Sequence, residues 1–329
     1  MPFQDTPNKL TLRQSWDLPI LNRWHAGLSR PLSYFGLPGP EIKDLIDWQH
    51  LLGSRTGVEV SGRTKKQRLE ADETSGRLNF NIMAYGLGSG FELLRGDIED
   101  VIINGTDDTG KVPQMNDGLA AHLMHFNYDL VNLDFNSGLG YRRESQRGDA
   151  KRVRAIKELF RRQQGQSFVF LLTVSVRHTL GEEISEYING LRGLYNDSGW
   201  HNTIDWYLGL GEREFEYALK ALVPPFIRAA AAPYMFRTTC HPPISYIGHE
   251  RARMVHFAFE LEAQSGNLQA FSRQNDRDLI ELPLLRCDNG QITTPSKQHP
   301  NFDFGRCENF LQFLPNETKA SILATIIGS

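Results

Sequence analysis

The chain alternates short apolar runs with longer stretches in which apolar residues recur every three or four positions. LSYF (32–35) is the first such run. GLPGPE (36–41) follows it, and then IKDLIDWQHLL, where Ile42, Leu45, Ile46 and Leu51 recur at helical spacing. Pro40 suits the first turn of that helix, where a missing N–H costs nothing. RTGVEV (55–60) reads as a second strand and TKKQRLEADETSGRLNF as a polar helix. FELLRGD (91–97) reads as a third strand, with EDVII as the start of a short helix. A looser segment holding Gly105, Gly110, Pro113 and Gly118 leads to DLVNLDF, a fourth strand. DAKRVRAIKELFRRQ then places Val153, Ile156, Leu159 and Phe160 on one apolar face. SFVFLLTVSV (167–176) is nearly all apolar and β-rich, as a strand covered on both faces should be.

Strands alternating with helices predict a parallel sheet with right-handed crossovers. The ending differs. Helical stretches around EEISEYINGLRGLY and EFEYALKALVPPFIRAAAA precede two strand-like runs, MFRTTCHPPISYIG and RMVHFAFELEA. Only HERA separates those runs, too little for a helical crossover, so they should pair antiparallel as a hairpin at the end of the sheet. Pro242 and Pro243 should bend or bulge the first run and restrict it to an edge. After residue 264 one more strand pair (LIELPLLR, then QITTP) precedes a C-terminal helix, NFLQFLPNETKASILATII. The expected organisation is an N-terminal extension (1–30, with Trp16 and Trp24 among polar residues), an α/β domain (31–263) and a C-terminal extension (264–329).

Composition narrows this picture. A chain of 329 residues, 40% hydrophobic and 23% charged, sustains one large core with additions. The formal charge of −3 means that any affinity for nucleic acid must come from a local patch. Three cysteines (Cys240, Cys287, Cys307), odd in number and far apart, argue against a disulfide framework and fit a reducing cytosol. They lack zinc-site spacing, so no metal centre is expected. MPFQDTPNKLTLRQ has no signal-peptide core, and no run approaches a membrane span. The expectation is a soluble, cytoplasmic protein.

Candidate chemistry sits at the strand ends. Glu59, Asp97 and Asp134 fall at or just past the carboxyl ends of consecutive predicted strands, where the ligand crevice of an open parallel sheet lies. Such acids serve equally well to cap the following helices. Glu59 follows Gly36 by about the twenty residues over which an acid reaches a nucleotide ribose in these folds. In GLPGPE, Gly36 and Gly39 let backbone approach a ligand, although a plain turn explains the same residues. The segment has neither G-x-G-x-x-G nor P-loop spacing, which disfavours nicotinamide dinucleotides and P-loop nucleotides. Beyond Asp134, Asn136-Ser137-Gly138 reads either as a turn or as an opening towards a substrate.

This ordered set resembles a class I S-adenosylmethionine-dependent methyltransferase over about residues 32–263: alternating sheet, an acid after the second and third strands, an apolar fourth strand ending in Asp, and a closing antiparallel hairpin. The resemblance implies a mostly parallel Rossmann-like sheet flanked by helices and S-adenosylmethionine as cofactor. It implies that Gly36, Gly39 and Glu41 wrap the methionine end, and that Glu59 holds the ribose hydroxyls. It also implies that Asp97 and Ile98 meet the adenine, and that Asp134, Phe135 and Asn136 border the target atom. The first loop carries two prolines where the family has more glycines, and DFNSG is not the family's N/D-P-P-Y/F. If the acceptor is an exocyclic amine, Asp134 and Asn136 are the residues to accept its protons.

From 142 to 162 the chain is basic. Arg142, Arg143 and Arg147 beside the reaction rim would suit the phosphates of DNA or RNA, and the same run also reads as a solvated helix face. His178, after the fifth strand, is a candidate substrate contact or a structural hydrogen-bonder. Three readings follow: a methyltransferase acting on nucleic acid, a turnover-less methyltransferase-like scaffold with a protein partner, and a metal–nucleotide enzyme using the three rim acids.

Overall fold

The computed structural model describes residues 6–60, 65–113, 126–135, 138–139, 150–176, 198–210, 214–248, 251–265 and 276–293. The expected strands form in the expected order: β1 (Leu32–Gly36), β2 (Leu52–Glu59), β3 (Phe91–Arg95), β4 (Leu130–Asp134) and β5 (Phe168–Ser175). Their pairings are all parallel, in the spatial order β3-β2-β1-β4-β5. The order reverses between β1 and β4, which opens a crevice at the carboxyl ends of those strands.

Beyond β5 the direction turns. β8 (Arg253–Ala263) runs antiparallel to β5 along its whole length. It also receives β6 (Phe236–Cys240) and β7 (Ile244–Ile247), both antiparallel. The expected hairpin is therefore present, with its first strand split where Pro242 and Pro243 interrupt it. The split costs no pairing that proline could have made, because His241 donates its N–H to Ala258 O and Pro243 O accepts from Leu285 N–H. The edge position expected of those prolines is corrected. β7 is flanked on its outer side by β9 (Leu285–Asp288), which runs parallel to it and pairs antiparallel with β10 (Gln291–Thr293). The sheet has ten strands among the described residues.

Alternation along each strand sorts the core into two layers. Phe35, Val131, Leu133, Phe170 and Phe257 point to one face. There they meet α5 (Ile98–Asn104), α6 (Lys151–Arg162), α7 (Ser198–Gly209) and α8 (Phe215–Ala231). Leu32, Tyr34, Leu130, Val169 and Leu171 point to the other. That face is covered by α3 (Lys43–Asp47), α4 (Lys65–Ala84) and a long N-terminal helix. The N-terminal helix is α1 (Pro7–Thr11), a π-helical turn (Leu12–Asp17) and α2 (Leu18–Ala26) in continuous succession. Trp16, Ile20 and Leu21 are fully buried there, so one side of this helix packs into the core. The helix expected after β1 is shorter than its pattern suggests, and Pro40 precedes it. Ile42 enters α3 in a left-handed conformation (φ 45°), which a β-branched residue adopts only where packing holds it. The expected C-terminal helix and the stretch around EEISEYINGLRGLY lie outside the described residues. No described helix is long and apolar enough to cross a membrane.

Candidate functional site

At the carboxyl edge of the sheet, a chamber of about 390 Å³ runs from the end of β2 across β1, β4 and β5 to β8 and β7. One end is walled by Pro38, Gly39, Glu41, Val58 and Glu59, the other by Asn132, Asp134, Thr173, Tyr246 and His256. The N-terminal helix borders it with Lys9 from α1 and with Leu12, Arg13 and Asp17 from the π-helical turn. Helical turns of this wide kind concentrate at functional sites.

Each β-strand contributes the residue that its pleat places at the rim. Glu59 ends β2, and its pKa is raised by burial, opposed by the Val60 N–H that donates to it. Asp134 ends β4 and accepts from Lys9 Nζ at 2.6 Å, while its other oxygen, Oδ1, is buried without a hydrogen-bond partner. Burial disfavours the Lys9 charge, but Asp134 outweighs it and raises the pKa. Asp44, on α3, is pushed up to about 6 by burial, a rise that Arg13 opposes and Asp134 reinforces. Arg13 Nε bonds Asp47 at 2.6 Å and lies 3.7 Å from Asp44. His256 bridges Thr173 Oγ1 (2.9 Å from Nδ1) and Asp17 Oδ1 (2.9 Å from Nε2). Burial opposes charge on that ring, yet the carboxylates of Asp17, Asp134 and Asp44 prevail and its pKa rises.

The residues expected from the sequence divide into three groups. Gly39, Glu41, Glu59 and Asp134 come together on the chamber wall; Gly39 takes a left-handed conformation (φ 60°), and Glu41 is ion-paired with Arg77. Gly36, Asp97, Ile98 and Phe135 are not among its lining residues. At Gly36 a Cβ would lie 2.3 Å from Asn132 O, so the glycine is required by the close approach of β1 and β4. Asp97 caps α5, accepting from Glu99 N–H at 3.0 Å, and accepts from Lys151 Nζ at 3.1 Å. That is the capping alternative foreseen for strand-end acids. Ile98 is core, and Phe135 is buried under the Arg152 guanidinium, 3.8 Å from its ring centre. Asn136, Arg142, Arg143, Arg147 and His178 lie outside the described residues.

Sequence reasoning missed Lys9, Arg13, Asp17, Thr173 and His256. The first three, spaced by four within NKLTLRQSWD, share one helix side, a pattern that an ordinary solvated face also gives, so the sequence did not single them out. Among the described residues, no cluster of three or more His, Cys, Asp or Glu is placed to hold a metal ion.

No protein-family model matches the chain, and no curated protein does. Among solved structures, an O-methyltransferase family protein from Burkholderia thailandensis is 12% identical, with a TM-score of 0.34. That match takes in 79% of this chain, which spans only 58% of the Burkholderia protein. The magnesium protoporphyrin IX methyltransferase of Synechocystis PCC 6803, solved with bound S-adenosylhomocysteine, is 10% identical over 78% of this chain and 86% of its own (TM-score 0.35). The O-methyltransferase TomG of Streptomyces achromogenes, in complex with S-adenosylmethionine, is 10% identical over 79% and 91% (TM-score 0.36). The fold is a mostly parallel, Rossmann-like sheet flanked by helices. It rests on this chain's own hydrogen bonding, five parallel strands in the order β3-β2-β1-β4-β5 closed by an antiparallel hairpin.

Proposed function

We propose that this chain is an S-adenosylmethionine-dependent methyltransferase. One observation carries the reading: Glu59 and Asp134, from strands on either side of β1, open into a single chamber bordered by the loop after β1. The chamber fits the cofactor chemically. Glu59 presents a half-buried carboxylate whose one described hydrogen bond comes from a backbone N–H, suited to ribose hydroxyls. Asp134 Oδ1 is a buried acceptor awaiting a donor. The loop of Pro38, Gly39 and Glu41 borders the end between them.

The cofactor supplies an activated methyl group, so the protein's task is to bind, orient and exclude water. Glu59 fixes one end of the ligand. Asp134 sets the electrostatics where the acceptor must approach. A nucleic-acid acceptor would rest on Arg142, Arg143 and Arg147. The described part of the basic run spends much of its charge internally, with Lys151 on Asp97 and Asp100, Arg152 on Glu99, and Arg161 on Glu158. The scaffold reading has one observation in its favour, the Lys9 ammonium already seated on Asp134.

Calorimetric titration with S-adenosylhomocysteine is the test, beside Glu59→Ala. Micromolar binding weakened at least about thirtyfold in the variant, roughly 2 kcal/mol, supports the proposal. A folded wild-type protein that gives no binding ends the enzyme reading and leaves the scaffold.

A further inference from the structure

Asp134, Thr173 and His256 are direct cross-strand partners: Asp134 pairs with Thr173 between β4 and β5, and Thr173 with His256 between β5 and β8. In-register neighbours point to the same face, about 4.8 Å apart, so the three side chains form one row along the chamber. Thr173 and His256 are each 4% exposed, and both line the chamber at the end away from Glu59. Behind the row, Asp17 descends from the π-helical turn onto His256. Nothing in the cofactor reading uses this row beyond Asp134.

We propose that Thr173 and His256, with Asp17 behind them, form the proton-accepting side of an acceptor site for a small molecule bearing an acidic, phenol-type hydroxyl. The inference rests on the methyltransferase reading and specifies its acceptor. With Nε2–H donated to Asp17, the neutral ring presents Nδ1 to Thr173 as an acceptor. The hydroxyl of Thr173 therefore donates to His256 and leaves its lone pairs for a further donor. When an acceptor O–H meets Thr173 Oγ1, that O–H bond breaks and its proton passes to Oγ1. Thr173's own O–H bond breaks in concert, and that proton passes to Nδ1. Thr173 ends unchanged, the acceptor becomes an oxyanion, and the imidazolium is held between Thr173 and the Asp17 carboxylate. Asp17 is a positioning residue, since it acts through His256.

Acidity selects the hydroxyl. An imidazole that titrates near 6.5 and a phenol that titrates near 10 are about 3.5 units apart, within reach of a proton transfer, whereas an aliphatic alcohol is far outside it. The lining agrees: Trp48 and Tyr246 give the chamber aromatic wall beside its polar groups, as sites for small planar ligands have. The charged and titratable groups facing His256 are Lys9, Arg13 and Asp17 from the N-terminal helix, Asp44 from α3, Asp134 from β4 and Tyr246 from β7. The carboxylates among them hold its pKa above the ordinary histidine value against the effect of burial, so the imidazolium is a supported state.

The experiment uses 4-nitrophenol, whose phenolate absorbs in the visible, added to the full chain saturated with S-adenosylhomocysteine. Titrated over about pH 6 to 9, a range that includes the neutral form of His256, the bound probe is expected to show at least about three times the phenolate-to-phenol ratio of free probe, half a pKa unit. Thr173→Val and His256→Gln should abolish the excess while the protein still binds S-adenosylhomocysteine. Asp17→Asn should diminish it, because the imidazolium loses its counter-charge. Should His256→Gln fail to fold, the near-isosteric Thr173→Val and Asp17→Asn decide the matter. A probe that does not bind at millimolar concentration, that binds with the ionisation of free probe, or that keeps its excess in the variants overturns the assignment. Failure of S-adenosylhomocysteine to bind at all is a separate result; it removes the methyltransferase reading and this inference with it.

Discussion

Two regions of the molecule carry dense charge, and they use it in opposite ways. On the flank built from β3, α5 and α6, the described charges are matched within the fold. Lys151 sits among Asp97, Glu99 and Asp100, Arg152 on Glu99 and on Gly138 O, and Arg162 on the carbonyls of Ile102 and Ile103. At the carboxyl-edge chamber the charges are equally buried but incompletely matched. Asp134 keeps an orphan oxygen, and burial holds Asp44 near 6. Matched buried charge is structure; mismatched buried charge around a cavity is what a site for a ligand requires. Density of charge in the sequence does not separate the two cases.

Substitutions can break this contrast or sharpen it. The largest expected effect is on the flank. Arg162→Ala removes a guanidinium that is 3% exposed and leaves two carbonyls unmet, so unfolding by denaturant should show a loss of about 3 kcal/mol. Binding of S-adenosylhomocysteine by the folded protein should be unchanged; a loss of affinity beyond that explained by unfolding would erase the distinction between the regions.

Next comes Asp44. Its folded pKa of about 6 lies above the ordinary carboxylate value of 3.8, so between those pH values the folded chain binds more protons than the unfolded one. Its contribution to stability therefore falls as pH rises from about 4 to 6. The gap between wild type and Asp44→Asn, followed by denaturant midpoint, should move by about 2 kcal/mol over that window in favour of the variant, a figure reduced for its partial exposure. A constant gap would show that Asp44 is matched like the flank acids.

Lys9→Met should act on binding more than on stability. The lysine is 32% exposed, so its loss should cost less than about 1 kcal/mol. Removing a cation from Asp134 should favour the positively charged S-adenosylmethionine over S-adenosylhomocysteine by about fivefold. Equal affinities before and after would place Lys9 outside the ligand's field. The smallest effect belongs to Arg161→Ala, an exposed i,i+3 partner of Glu158, for which a change under about 0.5 kcal/mol is expected by the same denaturant measurement.

The contrast also explains how far the residues could be read in advance. The identity of the strands, their parallel polarity and the closing hairpin follow from local patterns: an apolar run of five to eight residues, a helical spacing, a connection too short for a crossover. Glu59 and Asp134 were found because a position at the end of a strand is a property of the chain. Asp97 has the same position and a different role, because Gly96 (φ 143°) turns the backbone so that Asp97 starts a helix and its carboxylate closes on Glu99 N–H. Phe135 follows Asp134 directly, yet it packs into the core under Arg152.

By itself, then, the sequence determined which segments become strands, in what direction they run, and which acids stand at the carboxyl edge, since each depends on hydrophobic periodicity and connection length. Only the tertiary structure decided which of those acids face a common space. It also laid the N-terminal helix across that edge to deliver Lys9, Arg13 and Asp17, aligned Asp134, Thr173 and His256 across three strands, and set β9 along the outer side of β7. The physical reason is that these relations join residues up to 239 positions apart, as Asp17 and His256 are. Such contacts are set by burial of two core layers against one sheet, and no local pattern records them.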